Sequence, residues 1–249
     1  MSFPFVASLT GAAVFTQSDV KKARLGTLGM LRDGRMYRYC KAGTALTQTW
    51  GAVNGNRHLT ACTGESAEAA LSGAVARGDR SFIFLDTSTI AADYYADGYI
   101  AQMQLASELH QIKSSTAGVG TSVTCTLDDD DFFATAVASG QTVNVYPSPW
   151  GKVILANVQA SGYEGFVCVP PYAITSAYYF WGQVTGPCWI TVTSTWPLAA
   201  TTDIEVVFHM DGSLKMADEA YNGSVSNQIA GHVIVSGQYG DCLIMLQIE

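Results

Sequence analysis

The chain reads as all-β: an antiparallel β-sandwich or jelly-roll-like domain over residues 25–249, preceded by an extended N-terminal arm over 1–24. Three observations predict this. Strand-like runs recur about every 8–14 residues, separated by Gly, Pro, Asn and Asp, the rhythm of a sandwich or barrel. Glycine is frequent (24 residues) and aromatics make up 11%, a mixture that suits short strands and tight turns. Helical patterns are confined to two short stretches, 65–77 and 88–98.

The elements follow in order. Residues 1–24 carry no sustained periodicity and read as an arm that is ordered only when packed on something. "LGTLGML" and "RMYRYCKAG" flank Asp33-Gly34, a strong hairpin signal. Alternation in the second strand sends Met36, Arg38 and Cys40 one way and Arg35, Tyr37, Tyr39 and Lys41 the other. "ESAEAALSGAVAR" (65–77) has the Ala and Leu of a short helix, weakened by Gly73, and "STIAADYYADG" (88–98) is the second candidate for a helical turn. "SFIFLD" (81–86) reads as a buried strand. Strand-like runs then continue through "GYIAQMQ", "LHQIKSS", "TSVTCTL", "QTVNVYP", "KVILANV", "GFVCVPP", "TSAYYFWGQV", "CWITVTS", "DIEVVFH", "HVIVSG" and "CLIMLQI". No fixed-period repeat or low-complexity linker interrupts them. The Gly118-Val119-Gly120 turn marks a soft division near 120.

The stretch "YYFWGQVTGPCW" (178–189) is the densest aromatic run. Alternation places Tyr178, Phe180 and Gly182 on one face and Tyr179, Trp181 and Gln183 on the other, so both faces are aromatic. That pattern fits a strand buried on both sides, by two sheets or by a sheet and a neighbouring subunit. Gly186-Pro187 is expected to break the ladder, with Cys188 starting the next strand. A sugar platform also uses Tyr and Trp, but no charged residue lies between Glu164 and Asp203 to grip a sugar.

Charge is sparse and uneven. Charged residues make up 14% of the chain, against roughly 25% in an average soluble domain, which leaves neutral surface suited to subunit contact. The net charge of −8 argues against nucleic-acid binding. Seven of the thirteen basic residues lie between 21 and 41: Lys21, Lys22, Arg24, Arg32, Arg35, Arg38 and Lys41. From Glu164 onward there are eight acids and one base, Lys215. A basic and an acidic surface suit docking on an acidic partner or head-to-tail packing, while the plainer alternative is arginines covering a sheet rim. Lys21, Lys22, Arg24, Arg35, Arg38 and Lys41 are the candidate docking residues. Tyr179, Trp181, Gln183 and Pro187 are the candidates for a core or subunit contact.

The sequence offers little chemistry. The six cysteines (40, 62, 125, 168, 188, 242) are scattered, with no C-x-x-C pair, and read as free buried thiols of a reducing compartment; three disulfides are the alternative. None of the four histidines has a second ligand at metal spacing. "LDDDDFF" (127–133) lacks the alternation of a calcium loop and reads as solvated acids. Nucleophile-elbow and phosphate-loop motifs are absent, Asn222-Gly-Ser224 is a bare glycosylation sequon, and no pair of carboxylates is singled out for hydrolysis. The expectation is a non-enzyme with no cofactor and no metal. The N-terminus lacks the basic residues of a secretion signal, and no apolar run reaches the roughly 18 residues that span a bilayer.

Several segments together resemble the capsid decoration (cement) and related virion structural proteins of tailed bacteriophages. "LGTLGMLRDGRMYRYCKAGTAL" (25–46) resembles their opening, and "GYIAQMQ…LHQIKSSTA" (98–117) their mid-chain hairpin. "VCVPPYAITSAYYFWGQVTGPC" (167–188) is similar to their Y-x-W-x-Q-x-x-G-P-C strand and turn, carried here by Tyr179, Trp181, Gln183, Gly186, Pro187 and Cys188. "IAGHVIVSGQYGDCLIMLQIE" (229–249) is similar to their closing strands. The chain departs from the pattern after the Pro-Cys strand, where the family often carries a longer acidic or glycine-rich loop. The resemblance implies a clamp on the outside of an icosahedral shell. It would be made in the host bacterial cytoplasm, commonly as a homotrimer, with the major capsid protein of the head and further copies of itself as partners. A carbohydrate- or host-surface-binding module of a virion is the alternative.

Overall fold

The computed structural model describes residues 6–54, 69–102, 107–120, 122–156, 165–192, 204–209, 211–217, 228–236 and 241–249. In chain order the elements are β1 (Ala7–Ser8), α1 (Gly11–Val14), β2 (Leu28–Met30), β3 (Met36–Lys41), β4 (Ala52–Asn54), β5 (Ala69–Ala70), β6 (Ser81–Leu85) and β7 (Thr89–Ile90). They continue with β8 (Tyr99–Gln102), β9 (Glu108–Ser115), β10 (Gly118–Val119), β11 (Ser122–Leu127), β12 (Thr142–Tyr146), β13 (Val153–Leu155) and β14 (Phe166–Cys168). The last five are β15 (Tyr179–Thr191), β16 (Glu205–Phe208), β17 (Leu214–Met216), β18 (Ile229–Ser236) and β19 (Asp241–Gln247). The chain is all-β, and nearly every strand pair is antiparallel.

Two compact units divide the chain: residues 1–55 with 150–249, and residues 56–149. The soft division expected near 120 is not where the chain parts. Gly118 and Val119 pair with Ile90 and Thr89 inside the second unit.

The first unit is a sandwich. An eight-stranded sheet, ordered β1-β2-β3-β15-β19-β18-β16-β17, packs one face on a three-stranded sheet, β13-β4-β14. Two clusters fill the space between. One joins Cys40, Ala52, Val153, Cys168, Phe180 and Val184. The other joins Val53, Phe166, Ile190, Phe208, Leu214, Ile244 and Leu246, with the Phe166 and Phe208 rings stacked 4.2 Å apart. The Asp33-Gly34 hairpin forms as the sequence predicts: Met30 pairs with Met36, and Gly34 takes a φ of 88°, which a side chain would resist.

The N-terminal segment is tied to its own chain. β1 runs parallel to β2, Thr10 caps α1, and Ser18 exchanges backbone hydrogen bonds with Tyr179. Leu9 and Val14 are buried against Tyr37, Tyr39 and Trp181, so this segment packs on its own unit.

The second unit is a six-stranded sheet, β5-β12-β8-β9-β11-β6. It closes on itself: Leu71, next to β5, bridges Phe84 of β6, which leaves no free edge there. The interior holds Phe82, Phe84, Tyr95, Ile100, Ile112, Leu127 and Phe133.

Four expectations are corrected. Residues 69–77 form strand and bridges, not a helix, because Leu71 and Val75 are needed to pair with Phe84 and Val137. The 88–98 stretch holds β7 and a string of turns, with Asp93 and Asp97 at positive φ breaking any helix. β6 is half-buried rather than buried: Phe82 and Phe84 face in, while Ser81, Ile83 and Leu85 face out. Gly186-Pro187 does not break the ladder; β15 runs 13 residues through it, pairing Gly186 with Leu246 and Pro187 with Met245. The proline is tolerated because β3 pairs only as far as Thr185, so the missing N–H leaves no strand partner unsatisfied on that side.

Candidate interaction surface

The first half of β15 is buried on both faces, as its aromatic alternation predicts. Phe180, Gly182 and Val184 face the sandwich interior, where a Cβ on Gly182 would overlap the Cys168 sulfur. Trp181 faces the other way, under the N-terminal segment, with its ring 5.0 Å from Tyr39. Tyr179 stacks on Tyr39 at 5.9 Å, and the Tyr39 hydroxyl accepts from the Lys22 amide at 2.9 Å. The Lys41 ammonium lies 5.3 Å over the Tyr179 ring. These rings serve the core. Trp181 is only 9% exposed, too buried to stack on a ligand.

The other candidates fall into two sets. Arg38 donates to both Glu249 carboxylate oxygens, from Nε to Oε1 at 3.0 Å and from Nη2 to Oε2 at 2.6 Å, and to the Gly26 carbonyl, while its guanidinium covers Trp150. Arg35 is paired with Asp33 at 2.8 Å; hydrogen bonding from the Arg35 amide leads the contributions that lower the Asp33 carboxyl pKa. Both arginines thus have internal acids. Lys21, Lys22 and Arg24 are exposed along the N-terminal segment. Gln183 is a buried brace: its amide donates to the Pro187 carbonyl at 2.9 Å across the bulge between Gln183 and Thr185. Pro187 itself is exposed.

Where β15 leaves the cover of the N-terminal segment, its outer face opens. Cys188 and Ile190 still point into the core, so Pro187 and Trp189 point out. Trp189 is paired with Leu243 on β19, and Leu243 with Val235 on β18. The three are 54%, 36% and 58% exposed, and Pro187 with its partner Met245 extends the row. Five apolar side chains from three adjacent strands therefore form one surface patch. Its margins are polar: Gln247 is exposed beside it, and His232 leads to exposed Glu205 on β16. Arg35 stands beside Gly186 on the opposite margin.

Sequence reading missed Trp189, Leu243 and Val235. Each sits in an ordinary alternating strand, and only the register that aligns them makes a patch.

The second unit holds a polar cluster. His110 lies between two carboxylates, 2.7 Å from Asp131 at Nδ1 and 3.0 Å from Glu108 at Nε2. Both contacts are hydrogen bonds only when both ring nitrogens carry protons. Glu108 also accepts from the Thr135 hydroxyl and the Ala134 amide, and Asp131 from the Gln111 amide. Burial pushes the Glu108 carboxyl pKa up, but Thr135, His110 and Ala134 together outweigh it and hold it below the usual value. Asp131 is thus a structural anchor rather than one of four equivalent solvated acids, while Asp129 pairs with Lys113 at the surface.

Buried thiols complete the inventory. Among the described residues, Cys40, Cys125, Cys168, Cys188 and Cys242 are free and buried. Burial pushes Cys125 and Cys188 to about 12 and Cys242 to about 11; burial and then the neighbouring Cys168 raise Cys40 well above its ordinary value. Thiols so placed are poor nucleophiles. Cys62 and the Asn222 sequon lie outside the described residues. No group of three His, Cys, Asp or Glu side chains among the described residues is arranged to hold a metal ion. No helix among them is long and apolar enough to cross a membrane.

No family model matches the chain, and no curated protein or solved structure matches it.

Proposed function

We propose that this chain is a non-enzymatic structural protein of a tailed-bacteriophage virion, a decoration protein that self-associates and stabilises the capsid from outside. The observation that carries the reading is the apolar row Trp189–Leu243–Val235 with Pro187 and Met245, set in a polar margin. An apolar centre with a polar rim is the anatomy of a protein–protein contact. The margins differ in charge, the Arg35–Asp33 ion pair on one side and Glu205 on the other, which suits a head-to-tail contact that closes into a ring such as a homotrimer. The resemblance of residues 25–46 and 167–188 to the decoration proteins supplies the partner, the major capsid protein of the head. Lys21, Lys22 and Arg24, exposed on the N-terminal segment, supply a basic strip for that shell.

The test is addition of purified chain to expanded, undecorated phage heads. Saturable binding and survival of the heads at a higher temperature support the reading, and heads that take up none of it overturn the capsid role.

One observation favours a second reading. Trp189 presents a ring to solvent, as a glycan-binding module would. Binding on a broad glycan array that vanishes in Trp189→Ala would replace the capsid reading with that one.

A further inference from the structure

Gln102 is buried completely in the second unit, and neither its amide oxygen nor its amide nitrogen has a hydrogen-bond partner. Buried carboxamides are almost always satisfied, by protein or by ordered water. The surroundings point to which. Gln102 ends β8, and its register partner on β9 is Glu108. Ile100, two residues earlier, pairs with His110 and belongs to the interior cluster, so Gln102 is on the same inward side. Directly opposed residues on one face of an antiparallel pair have Cβ atoms about 4.5–5.5 Å apart. The register therefore sets Gln102 directly beside Glu108, the member of the Glu108–His110–Asp131 cluster on the neighbouring strand position.

That cluster is nearly saturated from the protein side. Both His110 nitrogens are engaged by carboxylates. Glu108 Oε2 receives the Ala134 amide and faces the imidazole, and its Oε1 receives only the Thr135 hydroxyl. What remains open is one acceptor site on Glu108 Oε1 and one on Asp131 Oδ2, which receives only the Gln111 amide, together with the acceptor of Gln102 and its donors. A single water molecule meets the acceptor and one of the two donors: it accepts from one Gln102 N–H, donates to the Gln102 amide oxygen and donates its second proton to Glu108. Three hydrogen bonds are the usual number for a buried water. No group of three His, Cys, Asp or Glu side chains among the described residues is arranged to hold a cation, and an anion is disfavoured by the two carboxylates.

We propose that the interior of the second unit contains a structural water site, built by Gln102 and Glu108 at the edge of the His110 cluster.

A crystal structure of the full chain at a resolution that resolves ordered solvent tests this. The expected result is one water-sized density peak within hydrogen-bonding distance of the Gln102 amide and a Glu108 oxygen. Empty space beside an unpartnered amide overturns the proposal, as does an amide bonded only to protein or a density larger than water. In solution, water-to-protein magnetisation transfer supplies an independent reading. The Gln102 side-chain amide protons should show cross-peaks of the sign given by a long-lived bound water, and Gln102→Met should remove them while the remaining amide spectrum stays folded. Cross-peaks of the sign given by fast surface water, or none from folded wild-type protein, overturn it.

Discussion

Trp189 of β15 and Leu243 of β19 are cross-strand partners, and both side chains stand in solvent on the face turned away from the sandwich core. A tryptophan is a costly residue to leave wet, and buried aromatic anchors dominate the energy of protein contacts. Replacing both with serine is expected to leave the melting curve of the isolated chain nearly unchanged, within about 0.5 kcal/mol, as for surface positions. Self-association should weaken at least about tenfold. Circular dichroism melts beside light scattering on the same samples check the two halves of this expectation.

Gly182 of β15 lies directly against Cys168 of β14. An alanine there meets the Cys168 sulfur and the Phe180 ring. Gly182→Ala should destabilise the fold by about 1–3 kcal/mol, the usual range for overpacking. Cys168→Ala in the same chain removes the sulfur, while the Cys168 Cβ 2.6 Å from the added carbon stays, and should return part of the loss, which a double-mutant cycle in urea would measure.

Glu108 sets an acid limit. Its folded pKa lies below its ordinary value of 4.5, so the unfolded chain binds this proton more readily than the folded one. The stabilisation is present in full above about pH 4.5 and is lost as the pH falls through the folded value. Glu108→Gln should flatten this part of the acid limb while changing little between its stability at pH 6 and at pH 7. Thermal melts from pH 2.5 to 7 on both proteins test the sign.

The buried thiols give a simple readout of native packing. In a Cys62→Ser chain, the five remaining cysteines should resist an aromatic disulfide reagent in buffer and all react in denaturant. Rapid labelling of any of the five under native conditions contradicts the packing described for the thiol concerned.

Much of the fold was legible because local chemistry and packing agree. Asp33-Gly34 marked its hairpin, and the aromatic alternation of 179–184 marked a strand covered on both faces. The errors came where pairing overrode local preference. Ala69–Ala70 has a helix-forming composition, yet it joins the second unit's sheet by pairing with β12. Pro187 looked like a strand end, but a proline ends a strand only where an N–H is required. The outer patch was illegible for a different reason. Trp189, Leu243 and Val235 are far apart in sequence and meet only through the β15-β19-β18 register. Likewise His110 and Asp131 looked ordinary apart and are notable only together.

The most direct measurement is the native mass of the purified chain across a dilution series. The account predicts a species at a multiple of the 26.5 kDa chain, three copies for the proposed ring, that dissociates at higher concentration when Trp189 and Leu243 are both serine. A monomer at every concentration, or an oligomer indifferent to those two substitutions, would contradict the assignment of this face as the subunit contact.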